Sequence, residues 1–356
     1  MIHPWNAVLY GQLTADRAHM PHALLLHGMR GIGKMDLATE IAKSMLCESS
    51  TEGQACNVCD ACNWFEQGNH PDFRRVEPLE VESDDGESDK PADKSTVTSS
   101  EKPAKATKAA KRNNPLIKVE AVREITQFLS LSAHRGGWRV ALIHPVEAMN
   151  LAAANALLKT LEEPPSRVLL ILVTHQIGRL LPTIVSRCRK VNVPLPAPDL
   201  ALQWLQQADT NLGTVEANAL LAESGGAPLS ALAFSDLERS TKREQFLDFL
   251  AQVTEAKQPD VCQLAQAYKD SHVETWNWLL RWVHDILGQK LTGSARYYLA
   301  RADQTARAGR YVDVAALLSF QRDLMQAARW LSHPLQTQLL LESWLIRYAQ
   351  IVGVRA

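Results

Sequence analysis

Ala23-Leu24-Leu25-Leu26-His27-Gly28-Met29-Arg30-Gly31-Ile32-Gly33-Lys34-Met35 decides how the N-terminal half folds. The apolar run reads as a short buried strand, the glycines as a turn, and residues 35–47 as the helix that follows. Gly28 and Gly33-Lys34 frame the G-x-x-x-x-G-K part of a phosphate-binding loop, in the strand–loop–helix setting such a loop requires. Glycines let backbone N–H groups curl round a phosphate at a helix N-terminus, and the lysine adds charge. Gly28, Gly31, Gly33 and Lys34 are therefore the candidate nucleotide-binding residues. The next position calls for a Ser or Thr hydroxyl on Mg²⁺. Here it is Met35, and a thioether is a poor ligand for a hard cation.

Further strands are expected at residues 73–76, 140–143, 168–173 and 191–193. Helical spacing of Val122, Ile125 and Leu129, and an Ala/Leu-rich helix at 151–162 stopped by Pro164-Pro165, alternate with them. Such alternation implies an α/β domain with a parallel sheet covered on both faces. After Val140-Ala141-Leu142-Ile143 a hydrolysing nucleotide site would carry an acidic residue, but the chain has His144-Pro145. Glu147 is expected off the strand end and badly placed for a metal. With both Mg²⁺ anchors missing, hydrolysis is not expected and ATP/Mg²⁺ is not expected to be used by this chain. Passive nucleotide binding on Lys34 and the loop amides stays open.

Cys47-x8-Cys56-x2-Cys59-x2-Cys62 offers four thiols within sixteen residues. Two-residue gaps let the backbone fold sulfurs back onto one ion, and four soft ligands suit structural, tetrahedral Zn²⁺ with no position left open for catalysis. An iron–sulfur cluster is the rival reading, and buried free thiols the plain alternative. Cys188 and Cys262 are expected to be ordinary core residues. Within residues 77–115, seven acids between Glu77 and Asp89 are followed by Lys102, Lys105, Lys108, Lys111 and Arg112 among Ser, Thr, Pro and Ala. With so little to bury, this stretch is expected to be a disordered surface insertion.

Beyond Pro194-Leu195-Pro196-Ala197-Pro198 the strand signals stop. Helices are expected at 199–207 and 215–223, closed by Gly225-Gly226, and from about residue 237 the chain reads as helical to its end. The tryptophans of Trp276-Asn277-Trp278-Leu279-Leu280-Arg281-Trp282 sit among leucines at helical spacing, which favours core or interface packing over a stacking platform for bases. At 356 residues, 46% hydrophobic and 22% charged, the chain is globular and long enough for two or three domains. With 38 Lys plus Arg against 39 Asp plus Glu it is no general polycation for nucleic acid. No apolar run is long enough for a membrane helix, and the start does not read as a secretory signal, so a cytoplasmic protein is expected.

Asn155-Ala156-Leu157-Leu158-Lys159-Thr160-Leu161-Glu162-Glu163-Pro164-Pro165, followed by Ser186-Arg187-Cys188, resembles the clamp-loader branch of the AAA+ ATPases. The cysteine insertion after the loop helix resembles the zinc module of the bacterial members, and the resemblance runs over essentially the whole chain. It implies a AAA+ α/β domain at 1–193 with the zinc module at 47–62, a helical lid domain at 194–236, and a helical C-terminal collar domain at 237–356. The family's motor subunits keep the Ser/Thr of the loop, an Asp-Glu pair, and a lid arginine that senses nucleotide. Met35, His144-Pro145 and, in Gly226-Ala227-Pro228-Leu229, Leu229 stand at those positions. The resemblance thus implies a non-hydrolysing subunit that works in a ring with gamma/tau and delta subunits. Such a ring loads a sliding clamp onto primer–template DNA within DNA-directed DNA polymerase III, a nucleotidyltransferase only as an assembly. The alternative is a catalytically competent ATPase of the gamma/tau type. A zinc-dependent DNA-binding protein is a weaker third reading, since no recognition-helix pattern accompanies the cysteines. The resemblance also gives Arg187 of the Ser-Arg-Cys motif, flanked by Ser186 and Cys188, the role of a trans arginine finger toward ATP held by a neighbour. A guanidinium suits that role because it stays charged and meets phosphate oxygens with a planar fork. Read from the residues alone, Arg187 would make a surface salt bridge.

Overall fold

The structure, a computed structural model, describes residues 2–17, 19–78, 116–134, 137–254, 260–328, 331 and 337–353. The insertion expected at 77–115 lies outside the described residues apart from Glu77 and Pro78.

Helix α1 (Ala7–Thr14) precedes β1 (Ala23–His27), which feeds α2 (Lys34–Leu46) through the glycine loop. Then come α3 (Asp60–Glu66), β2 (Phe73–Val76), α4 (Val119–Ser130), β3 (Arg139–Ile143), α5 (Leu151–Glu162), β4 (Val168–Thr174), α6 (Pro182–Val185) and β5 (Arg189–Asn192). The strands form one parallel sheet in the order β2-β3-β4-β1-β5. The central strands β1, β3 and β4 are covered on both faces, which is why they read as unbroken apolar runs. Successive side chains go to opposite layers. Leu24, Leu26, Val140, Leu142 and Ile171 pack with Leu37 and Ile41 of α2. Leu25, Ala141, Ile143, Leu170 and Leu172 pack with Ile125 of α4 and Leu157 of α5 on the other side.

The last strand differs from the 191–193 expected. It begins at Arg189 and ends at Asn192, with the Val193 N–H donating to the His27 carbonyl at 2.8 Å. The difference comes from its edge position. It pairs with β1 alone, and Arg189, Lys190 and Asn192 face solvent, so only Val191 carries an apolar signal.

Three helices follow, α7 (Pro198–Ala208), α8 (Thr214–Glu223) and α9 (Pro228–Phe234), around a small core of Ala201, Leu205, Ala217, Leu220, Leu221 and Ala231. Gly225 and Gly226 end α8 at φ +72° and +89°, left-handed angles that few other residues adopt. Pro228 then opens α9, its ring setting a helical φ where no N–H bond is lost.

The remainder is helical: α10 (Leu237–Thr254), α11 (Val261–Tyr268), α12 (His272–Thr292), α13 (Ala302–Gly309), α14 (Val314–Ala327) and α15 (Thr337–Val352). Trp282, Phe246, Phe320 and Tyr348 are fully buried at its centre. The Trp282 indole donates to the Tyr348 hydroxyl at 2.8 Å, and that hydroxyl donates to the Leu250 carbonyl at 3.1 Å. Trp278 is also buried, so these tryptophans serve the core. Cys188 is buried as expected. Cys262 is not: it is exposed. The apolar stripe of α11 runs through Val261, Leu264, Ala265 and Tyr268, and Cys262 falls off that stripe in the first turn. Among the described residues no helix is long and apolar enough to cross a membrane.

Candidate functional site

Cys47 caps the C-terminus of α2, Cys59 precedes α3, and Cys62 lies one turn inside it. Asn57, at φ +59°, makes the tight turn between Cys56 and Cys59. All four cysteines are free thiols, and their sulfurs lie within 4.8 Å of one another. Cys47 and Cys59 Sγ are 3.9 Å apart. A tetrahedral zinc with bonds of about 2.3 Å would hold its sulfurs about 3.8 Å apart, so the donor set fits such an ion. The Cys56 N–H donates to Cys47 Sγ at 3.2 Å and the Cys59 N–H to Cys56 Sγ at 3.4 Å. N–H groups of Val58 and Cys59 pull the Cys56 thiol down to about 6, while burial pushes Cys62 up to about 12 and raises Cys47. Four cysteines this close, two of them buried, would all ionise only with a positive charge among them, which a divalent cation would supply. Lys43 and Glu66, 2.6 Å apart, tie the two helices that carry the cluster.

The glycine loop has the predicted strand–loop–helix setting, but its lysine and several of its carbonyls are engaged within the chain. Lys34 is buried, and its ammonium donates to the carbonyls of Gly28 at 2.8 Å and Met29 at 2.5 Å. Burial lowers its pKa to about 8, against the opposing pull of Glu147. The Leu229 N–H at the start of α9 donates to the Gly31 carbonyl at 3.0 Å. A Cβ on Gly31, at φ +80°, would lie 2.1 Å from the Ser230 hydroxyl, so this glycine is what lets α9 approach. From the other side the Trp5 indole and the Asn6 amide both donate to the Ile32 carbonyl at 3.0 Å. His3 stacks on Trp5 at 4.8 Å, bonds Asp36 at 2.9 Å, and meets the edge of Trp204 from α7.

Met35 packs against the core instead of offering a hydroxyl. Glu147 lies in a short 3₁₀ turn beyond β3, as expected off the strand end. Its carboxylate accepts from the Thr174 hydroxyl at 2.6 Å and the His175 N–H at 2.9 Å. Burial lowers the pKa of His144, and that of His175 to about 4. Leu229 sits in the first turn of α9.

Arg187 lies between α6 and β5, directly before buried Cys188. Its Nη1 donates to the Thr183 carbonyl at 2.9 Å, and its Nη2 pairs with Glu162 Oε1 at 2.7 Å. The side chain remains 35% exposed. Ser186 also donates to the Thr183 carbonyl, at 3.1 Å. The sheet register aligns Leu24 with Arg189 and His27 with Asn192. Arg187 therefore lies beyond the N-terminal edge of the sheet, whereas the glycine loop follows the C-terminal edge. The two motifs are not brought together. Sequence reasoning missed the Glu162 partner, although Glu162 stands inside the quoted Leu-Glu-Glu-Pro-Pro segment. It also missed the ring of His3, Trp5, Trp204 and Ser230 around the loop, for which no local pattern exists.

A parallel sheet with a glycine loop, a small helical unit packed on that loop and a helical C-terminal bundle define a P-loop α/β protein with appended helical units. Residues 7–196 match the family described as "DNA polymerase III, delta subunit", and residues 238–350 match "DNA polymerase III, delta subunit, C terminal". The chain is 35% identical to the DNA polymerase III subunit delta' of Pseudomonas aeruginosa over 99% of its own length and 98% of that protein. It is 30% identical to the Yersinia pestis subunit delta', covering 93% of this chain and 88% of that one. Similarity to the tau subunit of Salmonella typhimurium, at 34% identity, covers 49% of this chain and 22% of tau. The chain belongs to the DNA polymerase III delta-prime subunit family.

Proposed function

We propose that this chain is a non-hydrolysing subunit of a DNA polymerase III clamp loader and that it lends Arg187 to the ATP site of a neighbouring subunit. One observation carries the reading: Lys34 bonds two carbonyls of its own phosphate loop and α9 and the N-terminal segment pack on that loop, while a partly exposed arginine stands beyond the opposite end of the same sheet. A guanidinium so located is out of reach of its own loop and keeps N–H groups beyond those used by Glu162 and Thr183 for another subunit's site. Met35 and His144-Pro145 offer no hard ligand for Mg²⁺, and Lys34 is committed to loop carbonyls. The partners in this reading are the gamma/tau and delta subunits, with the sliding clamp and primer–template DNA engaged through the complex. Residues 1–193 form the AAA+ domain, 194–236 the lid and 237–356 the collar. Cys47, Cys56, Cys59 and Cys62 hold one structural Zn²⁺, which fixes the module and takes no part in chemistry.

Arg187→Ala tests the reading in the reassembled loader. Trans-acting arginines contribute about 10³–10⁵ in rate at the site they serve. The DNA- and clamp-stimulated ATPase should lose that site's share and clamp loading should fall, with melting and assembly of the subunit preserved. Normal stimulated ATPase in a fully assembled variant complex would refute the trans role. Turnover by the isolated wild-type chain, abolished by Lys34→Ala, would refute the non-hydrolysing role.

A further inference from the structure

We propose that Glu162 is a positioning residue for Arg187, holding its guanidinium in the plane and direction from which it meets the neighbour's phosphate. This rests on the trans role of Arg187 given above. The pair joins two motifs that are far apart in the chain, the end of α5 and the turn before β5, through a contact of 2.7 Å. Both backbone positions are rigid for the same reason. Leu161 and Cys188, the neighbours of the pair, are 3% and 8% exposed and belong to one apolar cluster. The side chains themselves are 50% and 35% exposed. An ion pair that open to water contributes little to folding. Nor does Glu162 serve its own helix, because a carboxylate in the last turn opposes the helix dipole. What it does is geometric. Glu162 draws one terminal nitrogen of Arg187 by charge while the Thr183 carbonyl accepts from the other, which restrains the guanidinium and leaves its remaining N–H groups for phosphate oxygens. Without Glu162 the long side chain would have to be ordered at the moment of reaction, a cost carried by the transition state.

The test uses the whole loader reassembled with Glu162→Ala, Glu162→Gln, Arg187→Ala, or Glu162→Ala combined with Arg187→Ala in this subunit. Stimulated ATPase is measured as kcat and KM separately, together with subunit melting. Glu162→Ala should lower the kcat of the served site roughly three- to tenfold, the cost of ordering one long side chain, with KM, melting and assembly unchanged. Glu162→Gln, which keeps an acceptor for Nη2, should recover most of the loss. In the Arg187→Ala background, Glu162→Ala should add nothing. Unchanged or raised kcat in Glu162→Ala, or an equal fractional loss with and without Arg187, overturns the positioning role while leaving the trans arginine in place. Loss of melting temperature in both Glu162 variants would make the residue structural and also overturns it. Full activity in Arg187→Ala overturns both.

Discussion

The glycine loop and the cysteine module are separated by a single helix, and both are ligand-binding motifs by composition. Their donors end up in opposite states. In the loop, the lysine that would meet a phosphate bonds two carbonyls of its own turn, and α9 and the N-terminal segment close over it. In the module, four sulfurs converge within 4.8 Å, two of them accepting backbone N–H groups, and lie close enough together to share one ion. A motif's residue types state which ligand could be bound. Whether those groups are free to bind it is decided by what else they touch.

The strongest way to press on that contrast is to remove the metal expected in the module. One Zn²⁺ per chain should be found by elemental analysis, and Cys59→Ser should abolish it. Thiolate–zinc sites in peptides contribute about 10–16 kcal/mol, but here the sheet and α2 share the folding, so a loss of about 5 kcal/mol is expected. That corresponds to a fall in Tm of roughly 10–20 °C for a domain of this size. Iron with visible absorption, or no metal at all, would place the module in the same closed state as the loop.

A smaller effect is expected from opening the loop. Gly31→Ala forces a left-handed φ on alanine and drives its Cβ into Ser230, at a cost of about 2–3 kcal/mol. Combining it with Ser230→Gly should recover only the part due to the Ser230 side chain, because the Ser230 backbone N would still lie 2.7 Å from the new Cβ; urea unfolding reads the difference. Millimolar ATP should not raise the Tm of the wild-type chain, since a ligand stabilises only what it binds. A clear shift that Lys34→Ala removes would break the contrast.

The smallest effect is electrostatic. Lys34 titrates near 8 in the folded chain and near 10.5 when unfolded. Between those values the unfolded chain holds more protons, so this group's penalty on folding is present in full below pH 8 and is relieved as pH rises toward 10.5. Relative to Lys34→Met, the wild type should therefore gain on the order of 2 kcal/mol between pH 7 and 10. A flat difference across that range would mean that the ammonium is not confined by its loop.

Much of the fold was legible because its signals are local. Ala23–His27 and Val168–Thr174 are strands whose every residue but His27 is buried, and such strands write themselves as apolar runs. The spacing of Cys47, Cys56, Cys59 and Cys62 is likewise local and already brings the sulfurs onto one centre. The edge strand was only half legible, since solvent permits Arg189 and Lys190 there. Cys262 misled because a lone cysteine says nothing of which helix face it occupies.

The sequence by itself determined the parallel sheet, the glycine loop, the cysteine module and the missing magnesium ligands, all of which follow from residues close together in the chain. Tertiary structure alone decided that Lys34 turns inward and that Ser230 approaches Arg30 across 200 residues. It alone decided that Glu162 holds Arg187 at the far edge of the sheet from the loop. These contacts join positions with no shared periodicity. They arise only when the apolar layers have packed and the chain has little freedom left in where its polar groups go.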